Sequence, residues 1–133
     1  MINLLVLKET VYSEKRVALV PDEIKKYFDL GFKVTIEKDA GMKAGFLNED
    51  YRKHNANISQ NIKKSIKESD IIIKIQKPEP GIIKEMKTGT ILMGLLSPKK
   101  GSSENILYNK KKISAFALEN IPRITRAQDK DIL

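Results

Sequence analysis

Short apolar runs alternate with amphipathic segments along most of this chain. Five runs rich in aliphatic and β-branched residues predict strands over 2–7, 32–36, 71–75, 90–96 and 113–118. The segments between them predict helices over 21–30, 48–55, 59–68 and 102–109, with a weaker helical turn over 80–86. Strands that are apolar on both faces belong to a sheet covered on both sides. The pattern therefore predicts an α/β domain of doubly wound type, with a parallel sheet and helices on both faces.

Length and composition favour one soluble domain over residues 1–133. The chain is 41% hydrophobic and 32% charged, which is ordinary for a globular protein. It contains no cysteine and a single histidine, His54, so disulfide scaffolds, thiolate metal sites and multi-histidine zinc sites are excluded. No metal site and no catalytic nucleophile is predicted, and the cytoplasm is the expected compartment.

The formal net charge of +8 raises the question of a nucleic-acid partner. Most of the cations are lysines spread through the predicted helices, and no basic stripe interleaved with aromatic residues accompanies them. The chain is also rich in Ile and Asn, so a background compositional bias explains the charge equally well. We interpret the lysines as solvated helix faces and predict no nucleic-acid partner.

Ligands of such sheets bind outside the carboxyl ends of the strands, where the loops of this chain are polar. Arg16 lies in the first of these loops and is followed by an apolar stretch that leads into a predicted helix. This placement predicts that its guanidinium is held at the edge of the sheet, where it can bind an anion or an amide. Gly41 and Gly45 lack the G-x-G-x-x-G spacing and are interpreted as a structural turn. His54 is interpreted as an exposed helix residue.

The segment 120–133 combines charged and amide side chains around a proline turn, directly after a predicted strand. Its polar residues include Arg123, Arg126, Gln128, Asp129 and Asp131. That density at the carboxyl end of a strand predicts part of a binding loop, the remainder of which is expected beyond residue 133. The alternative interpretation is a salt-bridged helix start over 129–133.

Four segments resemble a known family: KETVYSEKRVALVP at 8–21, EKDAGMKAGFLNEDY at 37–51, SDIIIKIQKP at 69–78 and ENIPRITRAQDKDIL at 119–133. The chain resembles the N-terminal segment of the α subunit of proton-translocating NAD(P) transhydrogenase, a relative of alanine dehydrogenase. The resemblance covers essentially the whole chain, and the PRITRAQ segment is specific to the transhydrogenase branch.

This resemblance implies a portion of the NAD(H)-side component, in which hydride passes directly between NADH and NADP⁺ and is coupled to proton translocation. It implies NAD as the cofactor, with NADP on a partner domain. The family's nicotinamide loop matches Arg123, Ile124, Thr125, Gln128 and Asp131. Arg123 and Gln128 would donate hydrogen bonds to carboxamide and ribose oxygens, while Asp131 would orient the ring or hold the arginine.

The resemblance also implies partners and a location. The implied partners are the remaining Rossmann part of the α subunit, the membrane-bound transhydrogenase subunits and a second copy in a homodimer. The implied location is cytoplasmic, peripheral to the inner membrane through those subunits.

Two departures separate the chain from the alanine dehydrogenases. Where those enzymes bind pyruvate with a lysine at a strand end, this chain has Gln76, and where they use a histidine after the next strand it has Ser97. Amino-acid chemistry is therefore not expected. Arg16 matches the substrate arginine of the dehydrogenases and remains a substrate-like loop residue without an assigned role.

No G-x-G-x-x-G follows any predicted strand, so the family's dinucleotide-binding domain is lacking here and is expected beyond residue 133. The chain is then a piece cut from a longer protein, a naturally split subunit or a gene remnant, with natural truncation favoured. Three functions stay open: a transhydrogenase component that is inactive alone, a non-enzymatic or vestigial α/β interaction module, and an alanine dehydrogenase-like oxidoreductase fragment.

Overall fold

Strand β1, at Ile2–Val6, lies near the centre of a six-stranded parallel sheet. The structure is a computed structural model, and it describes residues 1–95 and 103–117. The strands lie in the order β3-β2-β1-β4-β5-β6. The other strands are β2 (Phe32–Ile36), β3 (Asn57–Ile58), β4 (Ile71–Gln76), β5 (Ile91–Leu95) and β6 (Ser114–Ala117). The helices are α1 (Pro21–Asp29), α2 (Asn48–Arg52), α3 (Ile62–Glu68), α4 (Pro80–Glu85) and α5 (Ser103–Lys110), with a 3₁₀ turn at Met42–Ala44.

Helix boundaries follow local chemistry. Proline opens α1 and α4, where its missing N–H costs no helical hydrogen bond. Asn61 caps α3, because its side-chain oxygen accepts from the Lys64 backbone N–H at 3.2 Å. Helix α1 ends before Gly31, whose φ of +93° lies in the region that glycine adopts without a steric penalty.

Two apolar cores lie on opposite faces of the sheet. From β1, Leu4 and Val6 pack on one face with α1 and α2. Leu5 of β1 and Leu7, which directly follows it, pack on the other face with α3, α4 and α5. Alternation along a strand sends successive side chains to opposite faces, so a run that is apolar throughout fills both cores. The predicted fold class, an α/β parallel sheet with helices on both faces, is confirmed.

The five predicted strands all occur in the described residues, with ends that agree or differ by one position, while the predicted ends at 96 and 118 lie outside the described residues. One further strand, β3, was not predicted, because it comprises only two residues and pairs only with β2. The predicted helix over 48–55 ends at Arg52, and the following residues enter a turn in which Asn55 has a φ of +71°. The domain assignment for 1–133 stays a prediction.

The strand order places a crevice at the centre of the sheet. From β1 the chain proceeds to β2 and β3 on one side, then returns to β4 and continues to β5 and β6 on the other. Loops leaving the carboxyl ends of β1 and β4 therefore diverge, and ligands of doubly wound sheets bind at such a reversal. Within the described ranges, no helix has the length and apolar character needed to cross a bilayer.

Candidate functional site

The carboxyl ends of β1 and β4 carry a buried ion pair. The Lys74 ammonium lies 3.3 Å from a Glu9 carboxylate oxygen, and each side chain is only 2% exposed. Lys74 also donates to the Gln76 backbone oxygen at 3.1 Å. A buried lysine needs a counter-charge and hydrogen-bond acceptors, and this arrangement supplies both.

Glu9 also shapes the end of β4. Its two oxygens accept the backbone N–H groups of Ile75 at 2.8 Å and Gln76 at 3.0 Å. The pairing register between β4 and β5 shifts between Ile73 and Gln76. The Glu9 carboxylate therefore accepts hydrogen bonds from two backbone N–H groups at the point where the regular strand pairing is interrupted. Glu9 therefore fixes the direction in which Gln76 leaves the sheet.

The β5 backbone lies unusually close to this irregularity. A Cβ added at Gly94 would overlap the Lys74 carbonyl oxygen and would lie 3.3 Å from the Ile75 carbonyl oxygen. Only glycine allows this approach, because any other residue would bring Cβ into contact with backbone atoms that cannot move independently.

A second carboxylate, Glu14, binds the predicted site residue Arg16. The Arg16 Nε and Nη2 atoms each donate to a Glu14 oxygen at 2.7 Å, and the Arg16 backbone N–H donates at 3.1 Å. The Gln76 side-chain amide donates to the same carboxylate at 2.8 Å. These contacts join the β1–α1 loop to the end of β4.

The pKa of Glu14 is lowered to about 2, chiefly by the Arg16 hydrogen bonds and, against the opposing effect of burial, by the Gln76 amide. The same ion pair raises the pKa of the Arg16 guanidinium. Arg16 keeps 35% of its side chain exposed, whereas Glu14 keeps 5%. The Arg16 side chain is therefore partly exposed, while its charge is compensated by a buried carboxylate.

A third carboxylate, Glu37, lies at the end of β2 and accepts the Lys8 backbone N–H at 2.7 Å. Burial raises the pKa of Glu37. We call Glu9, Glu14, Arg16, Lys74 and Gln76 the carboxyl-edge network. Its formal charges cancel, so it offers directed hydrogen bonds rather than an uncompensated positive charge.

The predicted site residues divide into two groups. Arg16 lies at the carboxyl edge of the sheet, and its role as a ligand stays a prediction. The other five, Arg123, Ile124, Thr125, Gln128 and Asp131, lie outside the described residues, as does Ser97. The NAD-binding role predicted for those five also stays a prediction.

The sequence pattern does not reveal the pairing of Arg16 with Glu14 or the pairing of Lys74 with Glu9. A signal for Lys74 was present, because a lysine within a strand that is apolar on both faces requires a buried counter-charge.

The glycines and the histidine have structural partners. Gly45 has a φ of +91° at the end of the 3₁₀ turn. A Cβ atom at Gly41 would lie only 2.8 Å from the Tyr51 ring. Both observations fit the interpretation of these glycines as a structural turn. His54 lies in the turn after α2 rather than in a helix as predicted, and it is partly exposed. Its Nδ1 lies 2.9 Å from the Asp50 carbonyl oxygen, and its Nε2 lies 3.5 Å from an Asp22 oxygen.

Comparison with known proteins identifies relatives of the whole chain. The sequence profile of the family "Alanine dehydrogenase/PNT, N-terminal domain" matches residues 5–133. The chain is 37% identical over 135 residues to the first part of the NAD(P) transhydrogenase alpha subunit of Rickettsia prowazekii, covering 98% of this chain and 35% of that protein.

Solved structures agree with the sequence comparison. A transhydrogenase from Sinorhizobium meliloti superposes with a TM-score of 0.83 at 28% identity, covering 95% of this chain and 37% of the other. An L-alanine dehydrogenase superposes with a TM-score of 0.81 at 25% identity, covering 89% and 32%. The chain therefore spans about a third of the length of the proteins it matches.

Proposed function

Because the chain belongs to the alanine dehydrogenase/PNT N-terminal domain family, we propose that it forms a portion of the NAD(H)-side component of a proton-translocating NAD(P) transhydrogenase. The observation that carries this proposal is the 37% identity to a transhydrogenase alpha subunit over 98% of the chain. In the proposed reaction a hydride passes from NADH to NADP⁺, coupled to proton movement through a membrane domain.

The carboxyl-edge network supports a transhydrogenase role over an alanine dehydrogenase role. A 2-oxo acid carries a carboxylate, and its binding is favoured by positive charge that no protein carboxylate already compensates. Here Glu14 pairs with Arg16, Glu9 pairs with Lys74, and the neutral Gln76 occupies the end of β4. The network therefore suits a neutral hydrogen-bonding group better than a small anionic substrate.

Direct hydride transfer has modest chemical requirements. It needs two nicotinamide rings at reacting distance and no protein nucleophile or general acid. The protein's contribution is to hold and orient the rings. We assign the nicotinamide end of NAD(H) to Arg123, Ile124, Thr125, Gln128 and Asp131, as the family resemblance implies.

The described residues do not fit the pyrophosphate of a dinucleotide. In a dinucleotide-binding turn, a glycine-rich loop after the first strand leads into a helix whose free N–H groups hold the phosphates. Here helix α1 begins with Pro21, which has no N–H, and the preceding loop from Leu7 contains no glycine. We therefore propose that the pyrophosphate is held by a Rossmann partner and that this chain alone binds NADH weakly or not at all.

The proposed assembly comprises the remaining Rossmann part of the α subunit and the membrane-bound transhydrogenase subunits, with a homodimer through the NAD-binding subunit. The proposed location is cytoplasmic, peripheral to the inner membrane. A non-enzymatic interaction module is the second candidate, and the lack of a pyrophosphate-binding turn in the described residues is the observation that favours it.

A titration of NADH separates these two candidates. Nicotinamide fluorescence is followed with this chain alone, with a separately expressed Rossmann segment from the same genome, and with both together. We expect tight NADH binding only when this chain and the Rossmann segment are both present. Arg123→Ala should weaken that binding by about tenfold or more. Lys130→Ala, which also removes one positive charge from the same segment, should leave it unchanged. Submicromolar binding by this chain alone would contradict the split site, and no binding in any mixture would support the interaction module.

A further inference from the structure

The amino edge of the sheet, opposite the carboxyl-edge network, carries five lysines in two short segments. They are Lys84, Lys87, Lys110, Lys111 and Lys112, which we call the amino-edge lysine cluster. All except Lys111 are exposed. The first segment spans the end of α4 and the loop that leads to β5, and the second spans the end of α5 and the turn that leads to β6.

Specific contacts hold the two segments together. The Lys111 ammonium donates to the backbone oxygens of Lys84 and Met86, so it caps the end of α4. In return, the Gly89 N–H donates to the Lys111 carbonyl oxygen at 3.1 Å. The lysines therefore project from one fixed surface rather than from separate flexible loops.

Acidic side chains compensate only part of this charge. Lys87 pairs with Asp70 at 2.6 Å, and Glu85 pairs with Lys67 at 3.4 Å. Glu68 ends α3 nearby. Among the residues that the structure describes, Lys84, Lys110 and Lys112 have no ion pair.

Helices α1 and α2, on the opposite face of the sheet, carry a net negative charge. Helix α1 contains three acidic and two basic residues, and α2 contains two acidic residues and one basic residue. Each therefore carries a formal charge of −1. Helices α3, α4 and α5 together carry a formal charge of +2, so the face of the sheet that bears the lysine cluster is the more positive of the two helical layers.

We propose that the amino-edge lysine cluster docks this chain on an anionic phospholipid surface. A lysine ammonium is a compact charge, so a cluster of several lysines attracts anionic headgroups electrostatically with little dependence on direction. The contributions of the individual lysines add up. Nucleic-acid recognition would favour arginine forks and stacking aromatics, and the cluster has neither. In the docked orientation the carboxyl-edge network lies on the side of the sheet that faces away from the bilayer.

This inference goes beyond the proposed function and does not depend on it. Co-sedimentation is measured with vesicles of phosphatidylcholine alone and with vesicles containing about 30% phosphatidylglycerol, each at about 50 and 300 mM salt. The test variant is Lys84→Gln/Lys110→Gln/Lys112→Gln. The matched control is Lys15→Gln/Lys38→Gln/Lys43→Gln, which removes three exposed lysines from the segments that follow β1 and β2 at the carboxyl edge of the sheet. Both variants lower the formal net charge from +8 to +5.

We expect binding to the anionic vesicles only, lost at the higher salt concentration. Each lysine near the surface contributes about fivefold to the partition coefficient, so the test variant loses about 100-fold and the control less than about fivefold. Unchanged circular dichroism and urea midpoints show that both variants are folded.

Three results would overturn the proposal: no binding to the anionic vesicles, equal loss in the two variants, or equal binding to the zwitterionic vesicles. A DNA duplex or an acidic polypeptide that competes with the vesicles and binds more tightly through the same lysines would also overturn it.

Discussion

The Arg16 guanidinium donates two hydrogen bonds of 2.7 Å to the Glu14 carboxylate, which lies two residues earlier in the same loop. Glu14 also accepts from Gln76, which is distant in sequence and lies at the end of β4. One carboxylate thus orients the predicted ligand residue and attaches its loop to the sheet.

This ion pair makes stability dependent on pH. The folded-state pKa of Glu14 is about 2 against an ordinary value of 4.5, so its contribution is present above about pH 4.5 and is lost as the pH falls toward 2. Since Arg16 is partly exposed, we expect a contribution of about 1 kcal/mol. In urea unfolding, the deficit of Glu14→Gln relative to wild type should be constant above pH 5 and shrink toward pH 3. A deficit that does not change over this range would contradict the assignment.

A carboxylate at position 76 should oppose Glu14. Gln76→Glu replaces an amide that donates at 2.8 Å with a second negative charge, so we expect a loss of about 1 to 2 kcal/mol in the free energy of unfolding at pH 7. The loss should shrink in acid, where one of the two carboxyl groups binds a proton. Gln76→Met, which removes the hydrogen bond without adding charge, should show a smaller loss that does not depend on pH in this way.

Breaking the buried Glu9–Lys74 pair should be costly. Lys74→Met leaves a carboxylate that is 2% exposed without its counter-ion, and we expect a loss of about 3 to 5 kcal/mol in the free energy of unfolding. Adding Glu9→Gln should restore part of that loss, because the buried charge is then removed. If chemical unfolding gives strictly additive losses for the two substitutions, the pair is not coupled as its geometry indicates.

Gly94 and Gly81 provide a matched pair of glycine substitutions. Gly94→Ala would drive a methyl group into the Lys74 carbonyl oxygen, and we expect a loss of at least about 3 kcal/mol or no folded protein. Gly81 lies in α4 with open space at its Cβ position, so Gly81→Ala should be neutral or more stable by up to about 1 kcal/mol. Thermal melting of the two variants compares them directly, and equal midpoints would contradict the close approach of β4 and β5.

Much of the fold could be predicted from the sequence because it depends on local pattern. The run IIIKIQ at Ile71–Gln76 is aliphatic enough to identify β4, and Pro21 and Gly31 delimit the first helix. The two-residue strand β3 could not be predicted, since a period of two cannot be recognised over two residues.

The candidate site is formed by residues that are far apart in the sequence. Glu9 lies 65 residues from Lys74, and Glu14 lies 62 residues from Gln76. These residues meet only because β1 and β4 are neighbours, and the hydrophobic pattern predicts the existence of strands without their order. The role of Arg123 and its neighbours came from family resemblance, and it stays a prediction.

The central claim, that this chain belongs to the NAD(H) side of a transhydrogenase, is tested most directly by hydride transfer. The chain is combined with its Rossmann segment and with the NADP-binding subunit from the same genome, and NADH-dependent reduction of thio-NADP⁺ is followed by absorbance. We expect transfer only when all three are present, with a loss of at least about tenfold in Arg123→Ala. Transfer that persists when this chain is omitted, or alanine-dependent reduction of NAD⁺ in its place, would contradict the claim.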